Sequence, residues 1–157
     1  MNNQKGFTLV ELLATMVLLF LVSTLVLSIA TQAIENYRQT ETRSFAQQEA
    51  NLLINQLTST HRTSSSYEVR RDELFHYTIT ADNEKTSKVD TAPFQLDLTL
   101  GAEDITVGES ILVNVSEHSS IPLQVTVVSQ PDQRFKTFEI DTNLYRIKQS
   151  VSSTNEE

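Results

Sequence analysis

The stretch KGFTLVELLATMVLLFLVSTLVLSIATQAI, residues 5–34, decides how the remainder of the chain is read. From Leu12 to Ile34 it holds no Asp, Glu, Lys, Arg or His. At about 1.5 Å per residue that span reaches roughly 35 Å as a helix, against a hydrocarbon core about 30 Å thick. Ser23, Thr24, Ser28 and Thr31 interrupt the apolar run, and a membrane helix tolerates them because hydroxyls can bond the backbone of the preceding turn. A buried helix of a soluble domain is the competing reading, but the rest of the chain is too small to surround such a helix on every side. Lys5 and the initiator amine lie before the run, which orients the N-terminus inside and the C-terminus outside. One residue spoils the pattern. Glu11 places a carboxylate at the edge of the apolar run, where an apolar side chain would bury at lower cost.

An ordinary secretory signal has a basic start, a short apolar stretch and a small-residue cleavage site after it. Here the stretch is too long, no A-x-A pattern closes it, and the small residue, Gly6, comes before it. The segment resembles the N-terminus of type IV prepilins and pseudopilins, the class III signal family. The residues that carry the resemblance are Lys5-Gly6, then Phe7-Thr8-Leu9-Val10-Glu11-Leu12-Leu13, then the apolar helix. The resemblance covers about the first 30 residues. It implies that a prepilin peptidase cuts between Gly6 and Phe7 on the cytoplasmic side and methylates the new amine of Phe7. It further implies that the helix is retained and that pilin or pseudopilin subunits pack through it into a filament.

Glu11 has two physical readings. Submerging a carboxylate near the end of a membrane helix costs a few kcal/mol, so a partner is expected. Lys5, the nearest cation, leaves with the leader, and cleavage creates a new one at Phe7. Phe7 and Glu11 are one helical turn apart and can pair internally. In a filament, a neighbouring subunit's Phe7 amine can pair with this Glu11 instead, fixing register through a charge that cannot be left alone. The other reading is a Glu that stays solvated at the membrane surface. Chemistry alone leaves the two even; the surrounding motif favours assembly through Glu11 and Phe7.

From Ala30 to about Arg62 there is no Pro and no Gly. Ile34, Tyr37, Phe45, Leu52, Leu53 and Leu57 are expected to form one apolar stripe, and His61 and Arg62 suit a helix C-terminus. Thr63-Ser64-Ser65-Ser66 then ends the pattern. Beyond it the period becomes two, over Phe75–Thr80, Phe94–Leu100, Ile111–Val115 and Leu123–Val127. Asp82–Thr91 reads as a polar loop. Phe138 and Ile140 are expected to pair with Tyr145 and Ile147 across a turn at Asp141-Thr142-Asn143. The fold class is α+β: a long N-terminal helix packed against a small antiparallel β-sheet head, as in pilins. The expected organisation is a leader at 1–6, a membrane-spanning helix half at 7–34, an amphipathic half at 35–62, a β-rich head at 63–150 and a loose tail at 151–157.

The chain has 157 residues and a formal net charge of −8. Through Arg62 there are four basic and four acidic residues; from Thr63 onward there are eight basic and sixteen acidic, so the head carries the whole imbalance. Nucleic-acid binders normally display a basic patch. Arg70-Arg71, Arg134 with Lys136, and Arg146 with Lys148 read as solvated strand positions, which argues against direct nucleic-acid binding. No cysteine is present, excluding disulfides and thiolate chemistry. His61, His76 and His118 share no metal-ligand spacing, and no phosphate-binding or nucleophile motif occurs. Asn114-Val115-Ser116 is formally a glycosylation acceptor, a triplet that often arises by chance. No enzyme and no cofactor are expected. The reading is a minor subunit of a type IV pilus-like filament of the competence, DNA-uptake kind, with a single membrane pass, an external head and a place in a cell-surface filament. The alternatives are a type II secretion pseudopilin and a single-pass surface-anchored binding protein.

Overall fold

The computed structural model describes residues 8–82, 85–117, 119–131 and 135–146. It is α+β, as expected: one helix, α1 (Leu9–Thr63), precedes eight strands. These are β1 (Ser66–Glu73), β2 (His76–Ala81), β3 (Thr86–Asp90), β4 (Gln95–Leu100), β5 (Glu103–Asp104), β6 (Ser110–Asn114), β7 (Ser120–Val128) and β8 (Phe138–Tyr145). Continuity of α1 follows from the absence of Gly and Pro, with Glu11 in the first turn and His61 and Arg62 in the last, each sign suiting its end of the helix dipole. The chain separates into two compact units, Met1–Glu41 and Thr42–Glu157.

In the second unit, α1 buries Ala46, Ala50, Leu53, Leu57, Thr60 and His61, a stripe at three- and four-residue spacing. Leu53 and Leu57 fall where the sequence placed them. Phe45 and Leu52 do not: they are 54% and 52% exposed, and Tyr37, in the first unit, is 69% exposed. The inward face is centred instead on the two alanines, whose small side chains let strands approach the helix backbone closely.

The strands form two antiparallel sheets, ordered β3-β2-β1-β6 and β5-β4-β7-β8. The chain passes between them after β3, after β5 and after β6. Their inner faces and the helix stripe make one apolar core, containing Tyr67, Val69, Tyr77 and Ile79 from the first sheet and Leu96, Leu98, Leu123, Val125 and Val127 from the second. Period-two burial is clean on β4 and β7, as expected for strands with one face inward. Two turns need glycine. Gly101 (φ 67) opens the two-residue turn joining Leu100 to Glu103, and Gly108 (φ 87) takes the third position of the Thr106–Glu109 turn, which closes with Glu109 N to Thr106 O at 3.0 Å.

Two expectations are corrected, and one strand is added that the sequence reading did not include. Asp82–Thr91 is not all loop, since β3 lies within it and pairs with β2 from Thr80↔Thr86 to His76↔Asp90. An additional strand, β1, precedes Phe75 and pairs with both β2 and β6. Asp141-Thr142-Asn143 is not a hairpin turn: it lies in mid-β8, opposite Gln124, Leu123 and Pro122 of β7. The inward phase of β8 runs unbroken through Phe138, Ile140, Thr142 and Leu144, with Leu144 fully buried. A tight hairpin would need positive φ, which Asp-Thr-Asn supplies poorly without glycine.

Candidate assembly site at the helix start

Of the residues that the sequence assigns to processing and assembly, Gly6 and Phe7 lie outside the described residues, and Glu11 lies within them. Thr8 precedes the first helical residue, so its side chain occupies the N-cap position. Glu11 stands three residues on, and the two form a reciprocal capping box. The Thr8 backbone N–H and the Thr8 hydroxyl both donate to Glu11 Oε2 at 3.3 Å, while the Glu11 N–H donates to Thr8 Oγ1 at 3.3 Å. Leu12 N completes the turn on Thr8 O at 3.2 Å. The carboxylate is therefore folded back toward the start of the chain, where it satisfies amide donors that would otherwise lack partners. The T-L-V-E spacing of residues 8–11 is itself the sequence signal for this box, and it adds Thr8 to the residues that matter here.

Behind this turn the helix presents apolar side chains outward on all faces. Leu9, Val10, Leu12, Leu13 and the large apolar residues that follow, through Ile34, are all more than half exposed. The helix is long and apolar enough to cross a membrane. Three of its threonine hydroxyls are satisfied within the helix: Thr15, Thr24 and Thr31 donate to the carbonyls of Leu12, Leu21 and Ser28 at 2.8, 2.8 and 2.9 Å, which is what makes threonine tolerable in hydrocarbon.

Among the described residues no group of His, Asp and Glu could hold a metal ion. Arg71, expected as a solvated strand position, is instead a core residue. Its guanidinium meets Asp97 at 2.8 Å, donates to Leu74 O at 3.1 Å and lies 5.5 Å from the centre of the Tyr77 ring. Arg70 is exposed and pairs with Asp72 at 3.3 Å. Arg134 and Lys148 lie outside the described residues, so two of the three candidate basic pairs cannot be drawn as pairs.

Residues 1–27 match the family model described as the prokaryotic N-terminal methylation motif. No curated protein and no solved structure matches the chain. The chain thus opens on a prokaryotic N-terminal methylation motif, the class III signal of type IV prepilins and pseudopilins, carried into a helix long and apolar enough to cross a membrane.

Proposed function

We propose that this protein is a minor subunit of a type IV pilus-like filament, the competence pseudopilus that serves DNA uptake. Prepilin peptidase cuts between Gly6 and Phe7 and methylates the Phe7 amine; α1 stays in the membrane with the β-rich unit outside until the subunit enters the filament. The observation that carries the reading is a single carboxylate, Glu11, in the first turn of a helix with no other charge through Ile34. In the described chain that carboxylate faces back to Thr8, the direction in which a neighbour's Phe7 amine would approach an axially shifted helix. A desolvated amine–carboxylate contact of this kind fixes register, because removing either partner strands the other charge.

The test separates processing from assembly. Mass spectrometry of the membrane-extracted protein should find Phe7 at the N-terminus, carrying a methyl group; functional protein that retains Met1 overturns the reading. A bulky replacement of Gly6 should block the cut more than Gly6→Ala does, because the scissile backbone must be approached closely. Glu11→Gln should insert and lose its leader normally but cross-link poorly to neighbouring subunits, with Glu11→Asp in between. Normal assembly of Glu11→Gln refutes the pairing. Loss of DNA uptake on deletion supports the competence role, whereas loss of protein secretion alone would assign the chain to a type II secretion pseudopilus, which uses the same kind of N-terminus.

A further inference from the structure

Strand β6, Ser110-Ile111-Leu112-Val113-Asn114, is an outer strand of its sheet, paired with β1 on one side and with no strand on the other among the described residues. The bonds that bracket its pairing, Val115 N to Ser65 O at 2.9 Å and Arg71 N to Glu109 O at 3.1 Å, fix which residues face which way. Hydrogen-bonded pairs alternate along an antiparallel ladder. Ile111 and Val113 therefore turn their amide and carbonyl groups to β1, while Ser110, Leu112 and Asn114 turn theirs to the open side. Leu112, at the centre, is 74% exposed. Proteins usually blunt such an edge with charge, proline or a bulge. β6 has no charged residue, no Pro and no Gly, and it runs in unbroken register from Ser66↔Asn114 to Arg70↔Ser110. The opposite edge of the same sheet, β3, is guarded by charge, with Lys88 and Asp90 along it.

Beside this edge a groove of about 330 Å³ opens between β6, the β4–β5 turn and the start of β7. Leu100, Leu112, Ile121 and Pro122 give it apolar surface, and two carboxylates, Glu103 and Glu117, stand at it. No cation is among the described residues that line it, and Glu68 lies opposite Leu112 on β1. We infer that β6 accepts an extended segment of another protein as an added strand, one that alternates apolar and polar residues and carries Lys or Arg at its ends. Backbone pairing through Ser110, Leu112 and Asn114 supplies the affinity, and the apolar groove takes alternate side chains of the incoming segment. The groove carboxylates select the flanking cations, which lie outside the paired alternation and so compete with no apolar contact. A second copy of this chain is a poorer occupant. Two β6 edges paired about a two-fold axis would add the same carboxylates from each groove and no cation from either, and the chain from Thr63 onward carries the whole net −8.

The probe is a short fluorescein-labelled peptide of alternating valine and threonine flanked by lysines, titrated into the full-length protein in detergent. Its anisotropy should saturate, and a peptide flanked by glutamates should bind about tenfold more weakly or worse at low salt. Amide exchange followed residue by residue should be fast at Ser110, Leu112 and Asn114 in the chain alone. It should slow there by about tenfold or more with the peptide bound, while Ile111 and Val113, already bonded to β1, change little. Leu112→Pro removes an N–H that β1 does not use, so it should abolish binding with Ile111 and Val113 still protected. Glu103→Lys combined with Glu117→Lys leaves the edge backbone untouched and should invert the preference between the two peptides. An absence of saturable binding up to about 1 mM peptide overturns the inference, as does binding that survives Leu112→Pro or keeps its preference in the double variant. Slow exchange at Leu112 in the chain alone overturns it too, because the edge is then already taken: by a second copy if the protection grows with protein concentration, by this chain itself if it does not.

Discussion

At the scale of single residues, the β-rich unit depends on two polar side chains placed where apolar ones would be expected. His61, fully buried in the last turn of α1, has Nδ1 3.1 Å from the Tyr67 hydroxyl and no hydrogen-bond partner for Nε2. The two rings meet edge to face at 5.8 Å. Burial lowers the imidazole's pKa below its ordinary value; the Ser119 carbonyl works against that and the Arg146 cation adds to it. The unfolded chain therefore takes up a proton near pH 6.5 that the folded chain refuses. Stability is fully present above that pH and is lost as pH falls toward the folded value, by at most about 1.4 kcal/mol per pH unit for one group. Denaturant titrations of the full chain in detergent from pH 8 to pH 5 should show this slope, and His61→Phe should flatten it; an unchanged slope in that variant would assign the acid sensitivity elsewhere. Arg71 is the second case. Its partner Asp97 keeps 42% of its side chain exposed, so the pair is screened on one side. Asp97→Asn should still cost on the order of 1–3 kcal/mol, because the guanidinium stays buried while its counter-charge is gone. Unfolding free energies of the two forms check this, and a difference near zero would mean that Leu74 O and the Tyr77 ring suffice.

At the scale of elements, the packing of α1 is the feature most open to a direct test. Leu53 and Leu57 are fully buried on the stripe that faces the sheets, whereas Leu52 is half exposed. Leu57→Ala should therefore cost about 2–5 kcal/mol, and Leu52→Ala well under 1; equal losses would mean that the helix is turned differently about its axis. A chain beginning at Ser64 should fail to fold, since it lacks every helix side chain of the core. How much of this was legible depends on what each pattern meant physically. The membrane-type run, the helix end at Thr63 and the alternation of β2, β4, β6 and β7 could be read because one face of each element is almost purely apolar. β1 was hidden because its inward phase is Tyr67, Val69, Arg71, and a buried arginine reads as a solvent position. β3 was hidden because an edge strand with Thr86, Ser87 and Lys88 has little apolar signal. β8 was split because Thr142 holds an inward position and looks like a turn residue beside Asp141 and Asn143. The helix stripe was misphased because large apolar residues were weighted over alanine, while close packing selected Ala46 and Ala50. At the functional end, Glu11 could be read from its contrast with the apolar run, and the Thr8–Glu11 box only needed its spacing noticed.

At the scale of the whole molecule, charge bears directly on the proposed role in DNA uptake. All of the net −8 arises after Arg62, and three of the eight cations there are committed. Arg71 is buried against Asp97, Arg70 is paired with Asp72, and Arg146 donates to Ser64 O. The outer positions of the second sheet are polar and partly acidic: Gln124 bonds Asp141 at 2.9 Å and Thr99 bonds Asp104 at 2.6 Å. A duplex approaching this surface would meet carboxylates held in place by their neighbours, and it would gain little from counterion release, the term that dominates DNA affinity. A role in DNA uptake would then be to build or cap the filament, with contact to DNA left to another subunit. Fluorescence anisotropy of labelled duplex DNA with the detergent-solubilised chain should accordingly show no saturable binding at about 150 mM salt, and only weak binding as salt is lowered. If affinity instead falls steeply with salt, with a logarithmic slope of about −4 or beyond, several phosphates are being neutralised at once. Such a slope would require Arg134, Lys136 and Lys148 to gather into one patch, and it would move the protein from a structural to a DNA-receiving role. Charge reversal at those three positions would then abolish the slope, whereas reversal at Arg70 would leave it in place.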